Sequence, residues 1–167
     1  MKKYKLTSFI VILLITCAAT AIANDRTEEE NKILSAAENV FLQMKNKDYP
    51  AIWEGLSNKT KEVIINDVYK AAKKMKIEIA KDELIRDFNN NGTNAKAYWD
   101  SYLNVFDPAI VLEQCKWYMS KVKADTAEIY ILKKDSERPA LLKLYKENGA
   151  WKLGLEESFG ARKLNPF

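Results

Sequence analysis

The spacing of apolar residues changes once along the chain, near residue 108, and divides it into a helical part and a strand-forming part. Ile33, Leu34, Ala37, Val40, Phe41 and Met44 recur every three or four positions and predict one face of a long amphipathic helix. Thr27-Glu28-Glu29-Glu30 opens that helix as a capping box with acids in its first turn. Asn46-Lys47-Asp48-Tyr49 closes it, and Pro50 suits the first position of a short helix carrying Ile52, Trp53 and Leu56. Ser57-Asn58 starts a third helix through Val63, Ile64, Val68, Ala71, Ala72 and Met75, and a shorter one follows from Asp82 through Leu84, Ile85 and Phe88. Asn89-Asn90-Asn91-Gly92 is a loop, after which Asn94 caps a helix with Tyr98, Trp99, Tyr102 and Phe106. Pro108 disfavours helical backbone at Asp107 and ends it.

Beyond this point the period is two. Strands are expected over residues 110–119, 124–132, 140–146 and 150–157, with the polar run Lys133 to Pro139 as one connection. Asn148-Gly149 is the strongest hairpin signal, because a two-residue type I′ turn needs positive φ at both positions. That turn sets a register: Glu147 opposite Ala150, Lys146 opposite Trp151, Leu144 opposite Leu153 and Leu142 opposite Leu155. One face then carries Leu142, Leu144, Trp151, Leu153 and Leu155, and the other Leu141, Lys143, Tyr145, Lys152 and Glu156. A sheet apolar on one side needs a cover, which the amphipathic helices supply. The expected class is α+β, with N-terminal helices packed on a curved, mainly four-stranded antiparallel sheet.

The N-terminus changes the picture of where this domain works. Met1-Lys2-Lys3-Tyr4-Lys5 is basic, residues 6–15 are almost continuously apolar, and Ala21-Ile22-Ala23 fits the small-x-small pattern of signal peptidase. This three-part pattern reads as a secretory signal over residues 1–23, leaving a single domain over 24–167 in an exported, periplasmic or secreted, bacterial protein. A second processing route competes: Leu14-Ile15-Thr16-Cys17 resembles a lipoprotein box, which would acylate Cys17 and anchor the chain to the membrane. Loss of Lys2, Lys3 and Lys5 lowers the formal charge from +4 to +1. A near-neutral surface offers no electrostatic case for nucleic acid. Histidine is absent, which removes His-based triads, His general bases and the common His-containing metal sites. No disulfide can form within the processed chain, where Cys115 stands alone as a buried, inert thiol, and no cofactor or metal motif is found.

The order of elements resembles the nuclear transport factor two-like superfamily. The resemblance rests on the long first helix closing with Lys47-Asp48-Tyr49, the short helix with Ala51-Ile52-Trp53 and Leu56-Ser57, and the meander closing on Glu147-Asn148-Gly149-Ala150-Trp151-Lys152-Leu153. It covers roughly residues 27–157, and the family's early strand has only Ile77-Glu78-Ile79 as a counterpart. It implies a curved sheet wrapped around the long helix, leaving a funnel that some members use for binding or catalysis and others fill with side chains. Fold alone does not choose between these uses.

Glu113 is the most interesting acid, because on a strand it alternates with Val111, Cys115, Trp117 and Met119 and would face an apolar wall that raises its pKa. Edge placement or burial of the opposite face would leave it in water instead. Tyr98 and Tyr102, with Asp100 and Asp107 nearby, are the residue types that stabilise an enolate in a dry pocket, although no motif aligns them with catalytic positions. Asp107 before Pro108 also reads as a helix-ending residue, and Tyr98, Trp99 and Tyr102 as a core stripe. Lys73-Lys74 and Lys133-Lys134 read as solvated surface. Three functions follow as expectations. The first is a non-catalytic envelope protein that binds a small apolar molecule or a protein partner. The second is a small isomerase- or lyase-type enzyme using a buried carboxylate with a Tyr. The third is a homodimer or larger assembly joined through the sheet face carrying Leu141 and Tyr145.

Overall fold

The computed structural model describes residues 27–160. The expected signal segment, Cys17 and the last residues of the chain lie outside them. The chain divides into two compact units, Met1–Lys32 and Ile33–Phe167. Of the first, residues 27–32 are described; they are helical, with Lys32 bonded to Glu28 at 2.8 Å.

In the second unit helix α1 covers residues 33–46 and buries Ile33, Ala37, Val40, Phe41 and Met44, the face the periodicity predicts. Helix α2 (Tyr49–Gly55) is started by Asp48, whose carboxylate accepts from the Ala51 N–H at 3.1 Å. Helix α3 (Asn58–Lys74) starts at the Ser57 cap, and α4 (Lys81–Asn89) and α5 (Thr93–Val105) follow. Asn94 does not cap α5. The Asp87 side chain reaches over from α4 and accepts from the Asn94 and Ala95 N–H groups instead. A carboxylate from the preceding helix thus meets orphan amides that a local side chain was expected to satisfy.

The largest departure from the expected elements lies at residues 108–113. They form a helix, α6 (Pro108–Glu113), and the strand expected from residue 110 begins only at Cys115. Pro108 ends α5 as expected, yet it also sits at the start of a new helix, where its fixed φ and missing N–H carry no penalty. Asp107 completes the start by accepting from the Ala109 N–H at 2.9 Å.

Strands β1 (Cys115–Val122), β2 (Thr126–Lys133), β3 (Ala140–Glu147) and β4 (Ala150–Gly154) form an antiparallel meander in sequence order. The hairpin register is the expected one through Leu144 opposite Leu153, with Asn148 and Gly149 both at positive φ. It stops one step short of the expected Leu142–Leu155 pair. The last pair is Lys143 opposite Gly154, and Leu155 opens a short helix, α7 (Leu155–Phe159). Ser158 on that helix accepts from the Lys143 N–H at 2.8 Å, so a side chain takes up a donor that a longer β4 would have paired. The residue at the switch is constrained as well, since a Cβ on Gly154 would lie 2.6 Å from the Tyr145 ring.

Helices and sheet share one core. Leu142, Leu144, Trp151 and Leu153 from the hairpin, and Ala127, Ile129 and Ile131 from β2, are buried against the helix residues. Each large side chain removed from water in this way contributes about 1.5–3 kcal/mol. The edges of the sheet are treated differently. Beside β4, Leu56 bridges Leu153 in parallel and the Ser57 N–H donates to the Leu153 carbonyl at 2.9 Å. At the other edge β1 carries Lys116 and Lys121 and a bulge between Met119 and Lys121, devices that discourage pairing with another strand. Ile77-Glu78-Ile79 is not a strand; it lies in the corner between α3 and α4.

Candidate functional site

The two tyrosines singled out from the sequence are held on α5, four residues apart, and their rings stack at 6.3 Å. Tyr102 is buried and Tyr98 is partly buried against the core. Around them the space between helices and sheet is filled by aromatic contacts. Trp99 meets Tyr98 at 5.1 Å, Phe106 meets Tyr102 at 5.4 Å, and Phe41 meets Phe106 at 6.1 Å and Trp117 at 5.9 Å. Trp117 also donates its indole N–H to the Val111 carbonyl at 3.1 Å. These candidates are therefore packed into one another as core.

Burial pushes the Tyr98 and Tyr102 hydroxyls well above the ordinary range, and the negative charge of Glu156 adds to the effect on both. Glu156 is itself shifted upward, first by its own desolvation and then by Asp67 and Glu157. The carboxylate beside the tyrosines is thus Glu156 on α7, a residue that the sequence reading placed on the outer face of a strand. Among the described residues no hydrogen bond joins either tyrosine hydroxyl to a carboxylate. The set can keep protons on phenols, but it presents no aligned acid–base pair.

Glu113 is placed quite differently from its expectation. It lies in the last turn of α6, more than half exposed, and its carboxylate meets the Lys45 ammonium at 2.5 Å. An ion pair this open contributes at most about 1 kcal/mol. Asp107 caps α6, and Asp100 accepts a hydrogen bond from Tyr49 rather than from Tyr98 or Tyr102. Partial burial, then the Asp100 bond and charge, push the Tyr49 hydroxyl up to about 12. Cys115, expected to be buried, is only half-buried at the start of β1; burial raises its thiol pKa, and the Lys133 charge opposes the shift.

The most densely bonded polar group is one that sequence reasoning missed. Ser57 and Thr60, at the start of α3, are 1 % and 0 % exposed. The Glu157 carboxylate accepts from the Ser57 hydroxyl at 2.9 Å and from the Thr60 hydroxyl at 2.7 Å. Ser57 Oγ in turn accepts from the Thr60 N–H, and Thr60 Oγ1 from the Glu156 N–H, each at 3.1 Å. Glu147 adds a second carboxylate, which accepts from the Asn58 N–H at 3.0 Å. Helix α3 has no acid in its own first turn, so two glutamates about ninety residues away supply the negative charge its N-terminus favours. The empty first turn was the one available signal. The groups of this knot serve the starts of α3 and α7, so its role is structural.

Two surface features remain. Across the solvent side of the sheet, Tyr118, Tyr130 and Leu141 stand opposite one another on three successive strands, with Glu128 opposite Lys143 in the neighbouring row. Tyr118 and Tyr130 are 49 % and 41 % exposed. At the far end of α3 an open groove is lined by Lys73, Lys76, Ile77, Glu78 and Glu83 among others, a set with no nucleophile and no convergent acid–base pair. Among the described residues no cluster of three or more potential metal ligands occurs, and no helix is long and apolar enough to cross a membrane.

No family model, no curated protein and no solved structure matches the chain.

Proposed function

We propose that the protein is an exported, non-catalytic module that binds a protein partner in the cell envelope through the solvent face of its sheet. One observation carries this reading: the row Tyr118–Tyr130–Leu141 runs across three strands with its two aromatic members open to water. Aromatic residues left exposed in a row, with charges beside them, have the composition of a binding surface. The filled space around Tyr98, Tyr102 and Trp117 favours a protein partner over a small apolar ligand. The resemblance to the nuclear transport factor two-like superfamily is compatible with this reading, because members with a filled funnel serve as interaction modules.

The test is a photo-crosslinking residue placed at position 130 in expressing cells, with position 105, on the exposed last turn of α5, as the control. A cross-linked adduct at 130 and none at 105 supports the reading, and an adduct of twice the chain mass identifies the partner as a second copy. The reading fails if position 130 gives no adduct while a small molecule persists on the folded protein in native mass spectrometry and leaves on denaturation.

A further inference from the structure

Helix α3 ends in a corner whose surface is unlike the rest of the molecule. Residues 73–78, Lys-Lys-Met-Lys-Ile-Glu, are exposed without interruption. Met75 and Ile77 are 54 % and 52 % exposed, and Ile85 on the adjoining α4 is also exposed. Around this corner the chain holds five lysines, at positions 70, 73, 74, 76 and 81, with Lys70 paired to Asp67, against the acids Glu78, Asp82 and Glu83, so that Lys73, Lys74 and Lys76 form the cationic cluster beside Met75 and Ile77. Two half-exposed apolar side chains thus stand beside three closely spaced lysines, with Glu78 and Glu83 on the groove side.

Ordinary helix chemistry explains only part of this. Lys73 and Lys74 in the last turn complement the helix dipole. The Lys76 N–H donates to the Lys73 carbonyl and the Ile77 N–H to the Ala72 carbonyl, at 3.1 and 2.9 Å, which is the Schellman pattern of helix termination. An apolar residue at the position of Ile77 usually folds back onto the helix, yet half of this side chain stays in water. The turn also needs a residue at positive φ. Lys76 takes that role at φ 59°, where glycine carries no steric penalty, so a positive charge stands where backbone preference favours its loss. Lys74 and Lys76 form no ion pair among the described residues.

We propose that this corner docks on an anionic phospholipid surface, with Met75 and Ile77 entering the headgroup region and Lys73, Lys74 and Lys76 meeting the phosphates. The inference is independent of the sheet-face reading. Charge complementarity selects the occupant: exposed aliphatics alone would fit any apolar surface, but a lysine cluster gains most against a dense sheet of negative charge. The attachment is peripheral and salt-sensitive, because these charges lie in water and are screened within about 8 Å at physiological ionic strength.

The experiment is co-sedimentation of the protein, with its N-terminus as processed in expressing cells, with vesicles of phosphatidylcholine alone or of phosphatidylcholine mixed with phosphatidylglycerol. Binding is expected only or mainly to the anionic vesicles, and it should weaken as salt is added. An acyl chain on Cys17 would raise binding to both vesicles equally, so the difference between them reports on the corner. The K74Q/K76Q variant should lose about twenty-five-fold in that difference, at roughly five-fold per lysine. M75S/I77S should lose about ten-fold while melting at the wild-type temperature, and Tyr130→Ser should bind like wild type. Equal binding to the two vesicles, no binding to either, or wild-type binding by both corner variants would overturn the proposal.

Discussion

The two ends of α3, a helix of 17 residues, have opposite characters. At the N-terminus Ser57 and Thr60 are buried, and carboxylates from β3 and α7 come across the fold to meet them. At the C-terminus six successive residues, 73–78, are exposed, and a lysine occupies the left-handed turn. A helix leaves unsatisfied backbone groups at both ends. Here the fold spends distant side chains on one end, while the other is closed by its own backbone. An end tied by long-range contacts is a stability element; an end closed locally is free to carry a surface.

That contrast can be broken from the tied end first. Glu157→Ala strands two buried hydroxyls, and unfolding in urea should show a loss of about 2–3 kcal/mol. Ser57→Ala removes the cap that accepts from the Thr60 N–H and should cost about 1–2 kcal/mol in the same assay. At the free end the sign reverses. Lys76→Gly relieves the left-handed backbone and should raise stability by up to about 1 kcal/mol while lowering affinity for anionic vesicles. A loss of stability in that variant would show that the lysine side chain holds the corner together, and the contrast would then fail.

The smallest effect sharpens the comparison through pH. Glu156 has a folded-state pKa raised above its ordinary 4.5, mainly by desolvation. Its stabilising contribution is therefore fully present below pH 4.5 and is lost as pH rises through the elevated value. Glu156→Gln keeps the uncharged form at every pH. It should be more stable than wild type at neutral pH, with the gap closing as urea midpoints are taken below pH 4.5. A gap that stays constant with pH would place the effect in packing rather than charge.

Local pattern carried much of the architecture. Helical spacing from Ile33 to Met44 located α1 and its buried face, and Asn148-Gly149 located the hairpin and its register as far as Leu144 opposite Leu153. These features rest on interactions between residues close in sequence, where spacing alone decides which side chains share a face. The α+β class followed from the need to cover a one-sided sheet. The site was far less legible. Residues 110–113 read as the opening of a strand, but the Asp107–Pro108 start makes them a helix, which moves Glu113 from an apolar wall to an open ion pair with Lys45. In the same way, the turn of the chain at Gly154 carried Glu156 and Glu157 off the sheet and toward α3 and the tyrosines.

By itself the sequence determined the elements whose stabilising contacts are a few residues long: the amphipathic helices, the Asn-Gly turn, the alternation that gives the sheet one apolar face, and the chemistries ruled out by the absence of histidine. Tertiary structure alone decided which carboxylates serve which helix ends, that Tyr98 and Tyr102 are packed rather than open, and that Tyr118, Tyr130, Met75 and Ile77 stay in water. Those outcomes depend on pairs of residues up to a hundred positions apart, and no spacing along the chain records which distant groups the folded backbone brings together.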